Sequence, residues 1–274
     1  MWVSDASGGR PPDSRRILAP LPIRRRFWYV SGHGMGEPAM RHWVTVIAAF
    51  LLVALAAGQA RADALEEATT AYRRGDYVKA ETLYRQLADE GNVMAYSVLG
   101  VMYAQGQGVP QDYAQAAKWY EVAAENGIAA SQSALAGLYY NGMGVPRDLE
   151  AAARWYDAAA RQGDLSAQVH LGTMLEAGEG RPRDYHSAAW WYRYAAQHGN
   201  PTARVALASL YERGLGVEQS DVRAYLWYDL AASTGWKHAA AERARLAKRL
   251  DAQQMGEARQ LRQACLDSGF RECE

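Results

Sequence analysis

Residues 95–127 read AYSVLGVMYAQGQGVPQDYAQAAKWYEVAAENG, and variants of this stretch follow three more times at an interval of 36 residues. The pairs Trp119-Tyr120, Trp155-Tyr156, Trp191-Tyr192 and Trp227-Tyr228 mark the ruler. Gly106, Gly142, Gly178 and Gly214 share one slot of it, and Gly108, Gly144, Gly180 and Gly216 share another. A period of roughly 20–50 residues marks a solenoid, in which a unit buries its apolar face only against its neighbours.

Each unit predicts two helices. In the first, Ala95, Leu99, Met102 and Tyr103 fall on one face, as the 3.6-residue period requires. Gly106 ends it, because glycine takes the left-handed conformation of a helix exit without penalty. Pro110 punctuates the loop, and Asp112 with Gln115 three residues on has the pattern of a capping box. The second helix carries Ala116, Trp119, Tyr120 and Ala123 on one face, and Gly127 closes the unit. Small residues recur at Gly100, Ala136, Gly172 and Ala208, where helices are expected to cross closely with tryptophan rings filling the gaps. The expected core is Trp119, Tyr120, Trp155, Tyr156, Trp191, Tyr192, Trp227 and Tyr228. The fold class that follows is all-α: an α-α solenoid of stacked helix-turn-helix repeats.

The four full units span 93–128, 129–164, 165–200 and 201–236. A degenerate unit at 63–92 precedes them, with Leu83 in the tryptophan slot. Beyond them, 237–274 predicts two capping helices, near 237–250 and 252–266, and a tail holding the only cysteines, Cys265 and Cys273.

These residues resemble the Sel-1-like repeat family, a branch of the tetratricopeptide-like helical repeats, over about residues 65–236. The family pattern is close to A-x3-LG-x-MY-x2-G-x-GV-x-QDY-x2-A-x2-WY-x2-AA-x2-G, and the unit quoted above matches it almost throughout. The resemblance implies a right-handed α-α superhelical solenoid that serves as a scaffold and binds proteins or peptides. It also implies, as for many bacterial members, export and service in envelope assembly, polysaccharide secretion or signalling. A cysteine-rich subgroup is linked to β-lactam binding or hydrolysis, which gives the alternative of an envelope hydrolase acting on β-lactams or cell-wall peptides. That subgroup places a cysteine pair in each repeat, and the repeats here hold none.

Ahead of the repeats, Met40-Arg41-His42 leads into an apolar run from Trp43 to Ala57 and then Gly58-Gln59-Ala60-Arg61-Ala62. A basic start, a short apolar core and an Ala-x-Ala site describe a secretory signal peptide. The expectation is a signal at 40–62, cleavage after Ala62, a periplasmic mature chain and no membrane insertion afterwards. A retained anchor is the alternative, although the run is shorter than the about 20 residues a spanning helix needs. Residues 1–39 are rich in Arg, Pro and Gly and read as a non-native or disordered extension. Cys265 and Cys273 are expected to pair in an oxidising compartment.

The whole chain is neutral, with 30 basic and 30 acidic residues. Residues 1–62 hold eight basic and three acidic ones, so 63–274 carries 22 against 27, a net −5. That balance argues against nucleic acid as a partner. No histidine pair or cysteine cluster has ligand spacing, and no nucleophile elbow occurs, so no cofactor, metal or catalytic set is expected. The Gly-x-Gly pairs lack the strand and the Lys-Ser/Thr of a phosphate loop. Partner-binding candidates are instead the first-helix slots whose identity varies between units. They are Tyr96, Gln132, Gln168 and Arg204; Val101, Gly137, Thr173 and Ser209; Gln105, Asn141, Ala177 and Arg213; and His170.

Overall fold

The computed structural model describes residues 37–271 and Cys273, and all the regular structure among them is helical. The expectation for residues 1–39 falls almost wholly outside the described residues. The repeat units pair α3 (Val93–Gln105) with α4 (Tyr113–Glu125), α5 (Ala129–Asn141) with α6 (Leu149–Arg161), α7 (Leu165–Ala177) with α8 (Tyr185–Gln197), and α9 (Pro201–Arg213) with α10 (Asp221–Ala232). Before them come α1 (Glu37–Arg73) and α2 (Tyr77–Asp89); after them, α11 (Lys237–Ala247) and α12 (Ala252–Asp267).

The helix ends follow the local chemistry. Gly106, Gly142, Gly178 and Gly214 take left-handed C-cap positions. Asp112 accepts hydrogen bonds from the Ala114 and Gln115 amides, and the full reciprocal capping box forms at Asp251 with Gln254. Asn92, Asp164 and Asn200 cap first helices in the same way, whereas Ile128 occupies that slot in α5 with no side-chain bond to offer.

Stacking rests on the second glycine of each loop. Gly144 has φ +72°, and a Cβ there would stand less than 3.0 Å from the Tyr113 carbonyl carbon and the Ala114 nitrogen. Each loop therefore seats its backbone directly on the first turn of the preceding unit's second helix, an approach only glycine allows.

The core differs from expectation in one respect. Tyr120, Tyr156, Tyr192 and Tyr228 are all buried, but of the tryptophans only Trp191 and Trp227 are; Trp119 and Trp155 are partly exposed. Tyrosine, not tryptophan, fills the small-residue slots. A Cβ on Gly172 would lie 2.6 Å from Tyr192 Cε1, and Gly100 meets the Tyr120 ring in the same way. The tyrosine ring comes off its helix against that small residue, while the adjacent tryptophan keeps part of its surface in solvent at Trp119 and Trp155 and is enclosed at Trp191 and Trp227.

The last unit is capped by charge and by a covalent tie. Asp229 bonds Arg243 and Arg262, each at 2.8 Å, and Glu212 bonds Arg245 and Arg249. Cys265 and Cys273 form a disulfide, both buried. Their loop sets Phe270 over the Arg204 guanidinium, 4.9 Å from ring centroid to Cζ.

Residues 1–55 and 56–274 form two separate units. In the first, as far as it is described, Ile47, Leu51, Leu52, Val53 and Leu55 are exposed. The stretch Val46–Arg73 is long and apolar enough to cross a membrane by length and composition. In the second unit, the part of α1 that packs against α2 and α3 comprises Ala64, Leu65, Ala68, Ala71 and Tyr72.

Candidate partner-binding face

The variable first-helix slots divide into two classes. Gln132, Gln168 and Arg204 are 6%, 1% and 4% exposed and do not form a binding surface. Gln132 Nε2 donates to the Ala124 carbonyl, Gln168 Nε2 to Ala160 and Arg204 Nε to Ala196, each at 3.0 Å. The Tyr96 hydroxyl does the same to Ala88 at 2.9 Å. All four reach back to a carbonyl in the last turn of the preceding second helix that already accepts the N–H of the unit's closing glycine, and so add a second hydrogen bond to it. This slot is a polar staple between units. Its identity varies because a phenol, an amide or a guanidinium donates equally well.

The remaining candidates do reach the surface of the first-helix layer. Gln105, Asn141, His170, Thr173, Ala177 and Arg213 are exposed, and Val101, Gly137 and Ser209 are half-buried. Three of them are drawn together in the middle of the array. The Tyr192 hydroxyl lies 3.1 Å from Thr173 Oγ1 and 3.2 Å from Glu176 Oε2. Glu176 in turn bonds Arg213 Nη1 at 3.0 Å, across from α7 to α9. Burial pushes the Tyr192 hydroxyl well above the usual phenol range, with the Glu176 charge adding to the effect. Beside this chain of contacts His170 stacks on Tyr156, centroids 4.9 Å apart, leaving its other side to solvent. Desolvation against that ring lowers the imidazole pKa and favours its neutral form.

Glu176 and Tyr192 were not among the sequence candidates. Glu176 had a readable signal, since its slot holds Ala104, Tyr140, Glu176 and Glu212 in successive units. Tyr192 had none, because a repeated core tyrosine gives no hint that its buried hydroxyl meets Thr173 and Glu176. The patch offers donors, an acceptor and a cation on a fixed frame. Among the described residues, no cluster of His, Cys, Asp or Glu is placed to hold a metal ion.

Two solved structures share this architecture. The protective antigen c5321 of uropathogenic Escherichia coli, which displays an SLR fold, is 37% identical with a TM-score of 0.65, over 68% of this chain and 41% of that one. This chain thus spans less than half the length of that relative. A Sel1 repeat protein from Oxalobacter formigenes is 31% identical with a TM-score of 0.62, over 65% of this chain and 73% of that one. No curated protein matches the chain. The Sel1 repeat pattern itself matches at residues 70–92, 93–128, 129–164, 165–200 and 201–235. With more than half of its length accounted for in this way, the chain belongs to the Sel1 repeat family.

Proposed function

We propose that this chain is an exported, non-catalytic scaffold that binds a protein or peptide of an envelope-assembly, secretion or signalling system through its first-helix face. Sel1 repeat proteins generally serve as protein–protein interaction scaffolds. The observation that carries the reading here is the surface cluster of Thr173, Glu176, Arg213 and His170, drawn from slots whose identity varies between units on a frame whose glycines, caps and aromatic pair recur. Such a preformed surface binds with little ordering cost. Val101, Gln105, Gly137, Asn141 and Ser209 extend the same face. Export is supported by the apolar stretch ahead of the repeats and by the disulfide. Cleavage after Ala62 would also leave the apolar α1 residues that pack against α2 and α3 in the mature chain, at the loss of the Arg61–Glu90 ion pair.

Cell fractionation with N-terminal sequencing tests the compartment: the expected result is a periplasmic chain beginning at Asp63. Arg213→Glu combined with Thr173→Arg is expected to abolish capture of the native partner at an unchanged melting temperature. Full retention of the partner would remove this face from consideration.

A further inference from the structure

Helix α8 and its C-cap residue carry three rings that have no counterpart in the other units. Trp190, Tyr194 and His198 lie four residues apart on one face, and Trp190 and Tyr194 are 52% and 38% exposed. Lys118, Arg154 and Leu226 occupy the equivalents of Trp190, and Val122, Ala158 and Leu230 those of Tyr194. The rings stack in series, with centroids 6.1 Å apart between Trp190 and Tyr194 and 4.4 Å between Tyr194 and His198. Large aromatics exposed side by side are uncommon on a free surface and typical of interface hot spots.

This row walls a cleft of about 520 Å³ between the end of α6 and α8, floored by Ala160, Gly163 and Gln168. A second cleft of about 530 Å³ adjoins it, with Trp191 and Arg161 lining both. The second cleft sets Arg161, Arg181 and Arg183 against only Asp157 and Asp184. Asp157 is shared by Arg161 at 3.1 Å and Arg181 at 3.4 Å, and Asp184 is engaged in capping α8. The combined groove is aromatic at one end and cationic at the other.

Its floor is also incomplete. One repeat earlier, Gln132 Oε1 accepts a hydrogen bond from Gln162 Nε2 at 2.7 Å. Here the donor's slot holds His198, whose Nδ1 lies 2.7 Å from the Tyr194 carbonyl while its ring stacks on Tyr194. Gln168 Oε1 is left buried without a partner, a condition that favours any donor brought to it.

We infer that the groove between α6 and α8 docks an extended segment of a partner protein carrying an aromatic or long aliphatic side chain beside carboxylates. The inference rests on the scaffold reading and adds a second surface to it. The apolar side chain lies against Trp190 and Tyr194, and the carboxylates meet Arg161 and Arg181. A peptide N–H enters beside Gly163, where the space next to the backbone is open, and approaches the Gln168 oxygen. A polypeptide fits better than a glycan because the rings stack on one another. They present edges and one outer face, not the row of free platforms along which sugars would lie.

The test places benzoylphenylalanine at position 190 of the full chain in its native host, irradiates the cells and sequences the adducts. The expected adduct lies in a partner segment with acidic residues next to an apolar one. R161Q together with R181Q should lower its yield about tenfold without moving the melting temperature, since charge complementarity guides such encounters. An adduct to polysaccharide or to a second copy, no adduct, or a yield indifferent to the arginine changes overturns the inference. The same photoreactive residue at position 173 reads the first-helix face. Adducts at 173 with none at 190 leave the scaffold reading standing and remove only this groove, whereas adducts at neither position remove both.

Discussion

Replacing Gly144 by alanine asks whether the units are stacked as described. Its φ of +72° puts any other residue in the left-handed region, at roughly 1–2 kcal/mol. Gly142 and Gly163, at +69° and +91°, carry that same penalty and so serve as controls. What differs is the neighbourhood. A Cβ at Gly163 meets nothing within 4 Å, and one at Gly142 meets Arg147 Cβ at 3.2 Å and the Arg147 nitrogen at 3.4 Å, a tight contact within its own loop. At Gly144 it meets the backbone of the first turn of α4, which cannot rotate aside. Overpacking of that kind adds about 1–3 kcal/mol. Gly163→Ala should therefore lose about 1–2 kcal/mol, Gly144→Ala about 2–5 kcal/mol and Gly142→Ala a value between them, in urea unfolding followed by circular dichroism. Because the clash lies between units, Gly144→Ala should also flatten the transition, as the array begins to unfold in parts. Equal losses at Gly144 and Gly163, with equal slopes, would refute the stacking contact.

Other expectations follow from the same contacts. Tyr156→Ala should cost about 3–5 kcal/mol and the half-exposed neighbour Trp155→Ala only about 1–2.5 kcal/mol; the reverse order in urea titrations would restore tryptophan as the main filler. Ile128→Asp should stabilise by about 1 kcal/mol, since Ile128 has φ −72° and ψ 105°, close to the −72° and 109° of the working cap Asn92; an unchanged or lower melting temperature contradicts it. Cys265→Ser should remove about 2–3 kcal/mol in the chain-entropy model, and hydrogen exchange should show the loss at α12 and Arg204 rather than at α3. Burial raises the phenol pKa of Tyr120, Tyr156 and Tyr228 from 10.0 to about 12. The folded chain thus keeps protons that the unfolded chain releases, so stability contributed by these groups is full below pH ~10 and is lost as pH rises through ~12. Phenolate absorbance from these three tyrosines that is already half developed at pH ~10 in the folded chain would refute this.

Architecture was legible because the solenoid writes its constraints in register. Gly106, Asp112 and Gly127 recur with their equivalents since each helix must start and stop where its neighbour does. The boundaries of α3 through α10 follow from those residues alone. The division of labour between Trp and Tyr was not legible. Both recur at one spacing, and only the direction of the side chain relative to Gly100 or Gly172 decides which ring is enclosed. The groove beside Trp190 was missed for a related reason. A tryptophan at 190 next to a core tryptophan at 191 reads as extra core until the helix face is known.

The staple slot shows why variation between repeats is a poor guide to a binding surface. Tyr96, Gln132, Gln168 and Arg204 differ in size, charge and aromaticity, and that diversity singled them out as candidates. Yet each performs one task, donating to the carbonyl of Ala88, Ala124, Ala160 or Ala196. Each of these carbonyls already accepts one backbone N–H; its second lone pair takes a donor at a given distance and is indifferent to what carries it, so the position tolerates any residue that can donate. What distinguishes a surface slot is variation without shared chemistry. By that criterion Gln105, Asn141, Ala177 and Arg213, which share no common donor or acceptor function, remain on the candidate face. The staple leaves it, and only where its secondary partner fails, at Gln168 beneath His198, does it point toward a ligand again.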